Sequence, residues 1–444
     1  MTPDDADGLA QLPDPLPIEP IGGPIDATVH LPGSKSITNR ALICAALAEG
    51  TSIVKGALFA DDTMAMIGIL ESLTVAVDAD RATDALTISG TGGVVPASGT
   101  VLDVRQSGTT ARFALPLLAL GDGDYQVTAH PQMQARPMGT TIEALRLLGV
   151  TIDDAAHRGH LPIRATVASA PGRTHRLRVP GDASSQFLSG LLLIGPCLPG
   201  GLEIELTTRL VSQPYVDMTI AVMEAFGAQV TRPTAQSFTV APGGYQSTIY
   251  GVEPDASAAS YALAAALVCG GTVRVPGLGR SSLQGDTAFA GVLAALGASV
   301  TQTVDATVVH AQRGAIRGGS FDLTHLSDTA QTLAAIAPFA AEPVQVTGIG
   351  FIRHKEIDRV AAVATELARC GITVETGPDG WTIHPGQPHG ATIETSNDHR
   401  MAMSFALLGL GAPGIEIAGP ACVAKTFPGF WHMLDGLRPG HEGR

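Results

Sequence analysis

Five segments of the chain repeat one short pattern: a helical end, a turn residue and the start of a strand. They are "ESLTVAV" from residue 71, "RLLGVTI" from 146, "EAFGAQV" from 224, "AALGASV" from 294 and "ARCGITV" from 368. Glycine in the fourth place suits a helix C-terminus that turns through positive φ, and only the first copy, with Thr74, lacks it. The turn positions are separated by 75, 78, 70 and 74 residues. That period exceeds the ~20–50 residues of a solenoid repeat. It suits a compact α/β unit of two helices and several strands, and about six such units fill the 444 residues.

Composition agrees with layered α/β packing. The chain is 45% apolar and 15% charged, which excludes a disordered protein, and long enough for one very large or two ordinary cores. Aromatic content is only 4%, against plentiful Gly, Ala and Val. The net charge of −14, with no dense basic run, argues against nucleic acid or an anionic membrane as a partner. An anion must then be met by a few placed cations. Only four of the 27 basic residues are lysines, namely Lys35, Lys55, Lys355 and Lys425. Such a bias can be genomic, or can keep lysine where a compact ammonium matters.

The five cysteines, Cys44, Cys197, Cys269, Cys370 and Cys422, form no CxxC and read as reduced, buried residues of a cytosolic protein. The Pro- and Asp-rich first twenty residues lack a signal-peptide pattern, and no uninterrupted apolar run has membrane-spanning length. Residues 1–20 and the final "RPGHEGR" read as loose ends, and "PASGT", "APGRT", "PGLGRSS" and "HPGQPHG" as turns.

Polar clusters sit immediately before apolar helical runs. "GSKSITNR" precedes "ALICAALA", "QSGTTAR" precedes "FALPLLAL", and "DASSQ" precedes "FLSGLLLI". Further along, "DASAAS", "SDTAQ", "HKEIDR" and "NDHR" stand in the same place. Ser, Thr, Asp and Asn there are ordinary N-caps. The cations are not, because a positive charge in the first turn opposes the helix dipole. Lys35, Arg40, Arg112, Lys355, Arg359 and Arg400 lie at or near that end. A bound anion would reconcile them with the free N–H groups. Asp328 and Glu356 lie among these cations; spacing alone leaves open a proton carrier or a surface ion-pair network.

Other chemistries lack their motifs. There is no HExxH, CxxC, EF-hand loop or GxSxG, and "GTGG" and "GDG" are turns rather than a dinucleotide fingerprint. "DATVHLPGSKS" is not a P-loop, since Ser34 separates Gly33 from Lys35 and the upstream glycine is missing.

Eight stretches, "LPGSKSITNRAL", "SGTTAR", "QARPMG", "DASSQFLSGLL", "LVSQPYVDMT", "HKEIDR", "NDHRMAM" and "AKTFPGF", resemble the 5-enolpyruvylshikimate-3-phosphate synthase family of enolpyruvyl transferases, in its order. The resemblance runs from about residue 21 to about residue 435. It implies two similar domains, each of three βαβαββ repeats, with the active site in the interdomain cleft. The expected domains are 34–252 and 21–33 plus 253–444, after a loose extension at 1–20. By the same resemblance the chain crosses between the domains near Pro32–Ser34 and Val252–Asp255. Each substrate would neutralise cations from both domains, so binding is expected to favour a closed form.

The implied reaction moves the enolpyruvyl group of phosphoenolpyruvate to the 5-hydroxyl of shikimate 3-phosphate, through a tetrahedral intermediate and with loss of phosphate. By resemblance, Lys35, Ser36, Arg40, Ser184, Ser185, Gln186, Ser212, Tyr215, Asp328 and Lys355 meet shikimate 3-phosphate. Lys35, Gly108, Arg136, Gln186, Arg359, Arg400 and Lys425 meet phosphoenolpyruvate. Asp328 is the implied base at the hydroxyl, and Glu356 the proton carrier at the methylene carbon, with Lys35 assisting. No metal or cofactor is implied, and the expected form is a cytoplasmic monomer.

Three positions depart from the family pattern: Gln106 where Asn is common, Phe113 where Pro is common, and Phe351 where Asn is common. Gly108, which permits glyphosate in the phosphoenolpyruvate site, is kept. The alternatives are a UDP-N-acetylglucosamine enolpyruvyl transferase, disfavoured by "SSQ" and "GSKS", and a non-catalytic anion receptor, disfavoured by the Asp328 and Glu356 pair.

Overall fold

A computed structural model describes residues 8–96, 99–167 and 176–440. Residues 1–7, part of "PASGT", all of "APGRT" and the last four residues lie outside the described residues. The chain divides into two compact units. A middle unit spans Gly33–Val252, and a split unit joins Met1–Pro32 to Glu253–Arg444.

In the middle unit one repeat is continuous. Strand Thr100–Asp103 leads through helix Gly108–Leu117 to strand Gly123–Thr128, then through helix Gly139–Leu147 to strands Thr151–Asp153 and Ile163–Val167. The sheet order is first, second, fourth, third; the first pair is parallel and the others antiparallel. This is a βαβαββ unit. The next repeat has the same pairing, with strand Arg176–Val179, helices Ser185–Ile194 and Gln213–Ala225, and three further strands. The remaining repeat carries helices Lys35–Leu47 and Asp61–Ser72 and borrows its first strand, Ile249–Gly251, from the far end of the unit.

The split unit is built alike. Ile25–Thr28 supplies the first strand of a sheet served by helices Ala256–Cys269 and Phe289–Ala295. A continuous repeat follows, from Gly319–Asp322 to Gly380–Ile383, with helices Ala330–Ile336 and Arg359–Arg369. In the last, strands Ala391–Glu394 and Ile415–Ala418 are parallel across helix His399–Gly411, and helix Phe430–Gly436 follows. The helices named above are labelled α1 to α12 in chain order, the four-residue helix Pro131–Gln134 being left unlabelled: α1 Lys35–Leu47, α2 Asp61–Ser72, α3 Gly108–Leu117, α4 Gly139–Leu147, α5 Ser185–Ile194, α6 Gln213–Ala225, α7 Ala256–Cys269, α8 Phe289–Ala295, α9 Ala330–Ile336, α10 Arg359–Arg369, α11 His399–Gly411 and α12 Phe430–Gly436.

The last sheet corrects one expectation. Residues 16–18 are not loose: Leu16–Ile18 pairs antiparallel with Ile415–Ile417, the place that the other repeats give to their own last strand. Ile18 is buried, the Gly419 N–H donates to Asp14 Oδ1 at 2.9 Å, and the Ile21 N–H donates to the Leu410 carbonyl at 3.0 Å. A Pro-rich composition conceals this strand because its ladder is short.

The first helix of each repeat is the inner one. In the middle unit α1, α3 and α5 pack on one another, and in the split unit α7, α9 and α11 do so. Nearly every residue of these helices is buried, as apolar-all-round runs require. Five of these six helices carry the expected side-chain cap; α9, which follows "SDT", does not. Ser34, Ser107, Ser184, Asp255 and Asp398 side chains accept from the first-turn N–H groups of Ile37, Thr110, Gln186, Ala258 and Arg400. The capped α10 is an outer helix, with Asp358 accepting from the Ala361 N–H.

The second helices carry the repeated turn. Thr74, Gly149, Gly227, Gly297 and Gly371 all have positive φ, from 62° at Thr74 to 108° at Gly297. Each closes a Schellman motif: Gly227 N–H donates to the Glu224 carbonyl and Ala228 N–H to the Met223 carbonyl, at 2.9 and 3.1 Å. Thr74 makes the same pair with Glu71 and, through Val75, with Leu70. A side chain held there carries ~1–2 kcal/mol of backbone strain. Gly227→Ala should therefore lower the urea-unfolding stability of the middle unit by about 1–2 kcal/mol. Thr74→Gly should leave it unchanged or raise it, because relief of strain offsets the added unfolded-state entropy of glycine, ~0.5–1 kcal/mol.

Candidate active site

In the middle unit the polar ends of α1, α3 and α5 are joined by side chains. Lys35 opens α1, and its Nζ lies 3.4 Å from Asp62 Oδ2 at the start of α2. Thr110 Oγ1, in α3, donates to the Asp62 carbonyl at 3.0 Å, linking Lys35 to the Gly108 turn. Arg40 is 1% exposed. It donates from Nε to Thr219 Oγ1 at 2.7 Å, from Nη1 to the Ser36 carbonyl at 2.7 Å and from Nη2 to the Tyr215 carbonyl at 3.0 Å. Its guanidinium stacks over Phe113 at 4.9 Å, so the departure at 113 supplies a cation–π partner. All three acceptors are uncharged, and burial pulls the Arg40 pKa down to about 10. The group stays charged at neutral pH, and an anion would relieve the cost of burying it.

A second group gathers at α3. Arg112 Nη1 donates to Gln186 Oε1 at 2.9 Å, Gln186 Nε2 donates to Thr109 Oγ1 at 3.1 Å, and the Arg112 guanidinium lies 4.9 Å from the Phe187 ring. A Cβ on Gly108 would collide with Arg136 Nη1 and come within 2.8 Å of Arg112 Nη1. Gly108 is therefore where backbone must approach two guanidinium groups, both buried. Ser184 caps α5 and Ser185 is buried beside it. Ser212, the residue before α6, is held at φ 50°, and the Tyr215 N–H donates to its carbonyl at 3.1 Å. That strained turn brings Tyr215 and Arg40 together.

The split unit holds the carboxylates. Arg400 Nη2 donates to Asp328 Oδ2 at 2.8 Å and Nη1 to the Asp328 carbonyl at 2.9 Å. Arg359 Nη1 and Lys355 Nζ lie 3.7 and 3.9 Å from Asp328 Oδ1, and Arg359 Nη2 lies 2.8 Å from Glu356 Oε2. The two candidate proton carriers thus share one cluster with three of the four cations assigned to this unit. Lys425 is buried at the end of the turn Pro420–Lys425.

Asp398, which the sequence reading used only as an N-cap, organises the arginines. Its carboxylate takes Arg359 Nε at 2.7 Å and Nη2 at 3.2 Å and also accepts from the Arg400 N–H at 2.9 Å. Burial pulls the Arg359 pKa down, but Asp398 and Glu356 outweigh it and hold it above its ordinary value. The turn delivering Asp398 uses two consecutive positive-φ residues, Ser396 and Asn397. Tyr261, whose hydroxyl accepts from Arg400 Nη1 at 3.3 Å, is a further missed partner; burial raises its pKa to about 12. Thr219 and Asp62 complete those missed, and Arg112, singled out as a helix-start cation, was given no place in either substrate set. Arg112 was signalled by its place in the first turn of α3, and Asp398 by "NDHR", but the partners of both are distant in sequence.

Among the described residues no group of His, Cys, Asp and Glu is placed to hold a metal, and no helix is long and apolar enough to cross a membrane. Fold and site define a class: a repeated-βαβαββ enzyme that places cations, with two carboxylates, at or near the starts of inner and outer helices. The comparisons make it specific. The family model for EPSP synthase (3-phosphoshikimate 1-carboxyvinyltransferase) matches residues 20–434. The 3-phosphoshikimate 1-carboxyvinyltransferase of Nostoc punctiforme is 42% identical over 427 residues, covering 95% of this chain and 100% of that one. The protein of that name from Laribacter hongkongensis is 43% identical, over 93% of this chain and 96% of that one. EPSP synthase from Acinetobacter baumannii superposes with a TM-score of 0.78 at 26% identity, over 95% of this chain and 98% of that one. The enolpyruvyl transferase NikO of Streptomyces tendae, at 17% identity and TM-score 0.75, shares the fold. The chain belongs to the EPSP synthase (3-phosphoshikimate 1-carboxyvinyltransferase) family, and is a transferase of the shikimate pathway that moves an enolpyruvyl group.

Two outcomes test the geometry. Gly108→Ala should push the Arg136 guanidinium aside and weaken anion binding at this cluster, read as a roughly tenfold rise in the KM of an anionic substrate with little change in melting temperature, because the displaced atoms end a flexible side chain. Asp398→Asn keeps a cap acceptor but loses the charged fork partner of Arg359; kcat/KM should fall by about 10- to 100-fold in steady-state assays.

Proposed function

We propose that both clusters serve one reaction between phosphoenolpyruvate and shikimate 3-phosphate. Lys35, Ser36, Arg40, Ser184, Ser185, Gln186, Ser212, Tyr215 and Lys355 hold shikimate 3-phosphate. Lys35, Gly108, Arg136, Gln186, Arg359, Arg400 and Lys425 hold phosphoenolpyruvate. Asp328 accepts the proton of the 5-hydroxyl as its oxygen adds to carbon 2 of phosphoenolpyruvate. Glu356, with Lys35, delivers a proton to the methylene carbon, giving a tetrahedral intermediate. Glu356 then takes a proton back from the new methyl group as phosphate leaves. The enzyme works without a cofactor, as a cytoplasmic monomer that engages neither nucleic acid nor membrane; the acidic net charge of −14 supports the last point.

The observation that carries this reading is the chain of contacts from Arg400 through Asp328 and Arg359 to Glu356. It puts two carboxylates beside cations suited to anionic substrates, the arrangement that proton transfer at a charged substrate needs. Buried Arg40, bonded only to uncharged oxygens, supports an anion in the middle unit. Phosphate release should require phosphoenolpyruvate together with shikimate 3-phosphate; release with UDP-N-acetylglucosamine alone as acceptor would overturn the reading. Glu356→Gln should lower kcat by about 100-fold or more, the usual scale of a lost general acid–base group. Unchanged turnover would remove that role.

A further inference from the structure

We propose that Arg353 is a positioning residue for Lys355 and Glu356, an inference that rests on the roles given to those two residues above. Lys355 and Glu356 belong to no helix or strand. The turn Gly350–His354 ends just before them, and α10 begins at Arg359. Reacting groups must be held to within ~0.5 Å, and irregular backbone does not supply that by itself.

Arg353 closes this span. Its Nη1 donates to both Asp358 oxygens, at 2.9 and 3.2 Å, Nη2 donates to the Gly377 carbonyl at 2.7 Å, and Nε to the Pro378 carbonyl at 3.4 Å. Arg353 stands two residues before Lys355, and Asp358 two residues after Glu356, so the pair brackets both groups. Asp358 also caps α10, through the Ala361 N–H at 3.0 Å. Gly377 and Pro378 lie in the turn of the hairpin Val374–Gly377 and Gly380–Ile383. In the same turn Asp379 accepts from the Gly348 and Gly350 N–H groups, at 2.9 and 3.0 Å. One hairpin turn therefore grips the segment where it begins and, through Arg353 and Asp358, where it enters α10.

The bond geometry marks position rather than stability. The Arg353 and Asp358 side chains are 26% and 41% exposed, and ion pairs so placed contribute ~0–1 kcal/mol. Four directed bonds from one planar guanidinium nevertheless fix the orientation of the span, which lysine cannot reproduce.

The test uses the full-length enzyme and compares Arg353→Ala, Arg353→Lys and Glu356→Gln with the unaltered protein for kcat, both KM values and melting temperature. Arg353→Ala should lose about 10- to 100-fold in kcat, with a nearly unchanged melting temperature. Arg353→Lys should recover only part of it. Millimolar guanidinium chloride, but not equal sodium chloride, should restore turnover to Arg353→Ala saturably. A kcat within about twofold of the unaltered enzyme, or a loss that follows the melting temperature and ignores guanidinium, would overturn the proposal. Normal turnover in Glu356→Gln would instead overturn the assignment of Glu356; impaired Glu356→Gln beside normal Arg353→Ala would remove the positioning role alone.

Discussion

A helix buried on every side can meet polar partners only at its ends. The inner helices of this protein are of that kind, and their first-turn N–H groups are where polar chemistry must collect. Caps from Ser34, Ser107, Ser184, Asp255 and Asp398 satisfy part of that demand. The helix dipole adds positive potential at the same points. The sheets and outer helices cover the flanks of these helices, and the starts of outer α2, α6 and α10 add Asp62, Ser212 and the Lys355–Arg359 segment to the polar groups gathered there.

The two units treat their buried cations differently. In the split unit Asp398 takes the Arg359 guanidinium, so burial is offset by a carboxylate within the protein. In the middle unit Arg40 leans on two carbonyls, a hydroxyl and an aromatic face, none of them anionic. A protein with a net charge of −14 thus buries individual cations without a dense basic run. The cost of desolvating those cations is partly left for an anionic ligand to offset.

Much of this was legible in the chain. The glycine turns declare themselves because few other residues adopt positive φ, and Thr74 obeys the same geometry without the glycine. The caps and the apolar helical runs were readable for the same local reason. Leu16–Ile18 was missed because a three-residue strand has too little periodicity to register, and its partner lies some 400 residues away. Asp398 looked like a cap and nothing more, since its second partner, Arg359, is 39 residues earlier. Phe113 looked like a departure until the Arg40 guanidinium was found over its ring.

The sequence by itself determined the repeat, the inner helices and the polarity of their starts, because caps, turns and apolar runs act over a few neighbouring residues. Its motif order also determined the family. Tertiary structure decided which cation faces which carboxylate, how the N-terminal strand completes the last sheet, and how Arg353 and Asp358 bracket the span between them. Those outcomes depend on directed contacts within a few ångströms between residues far apart in the chain, and no local pattern encodes such distances.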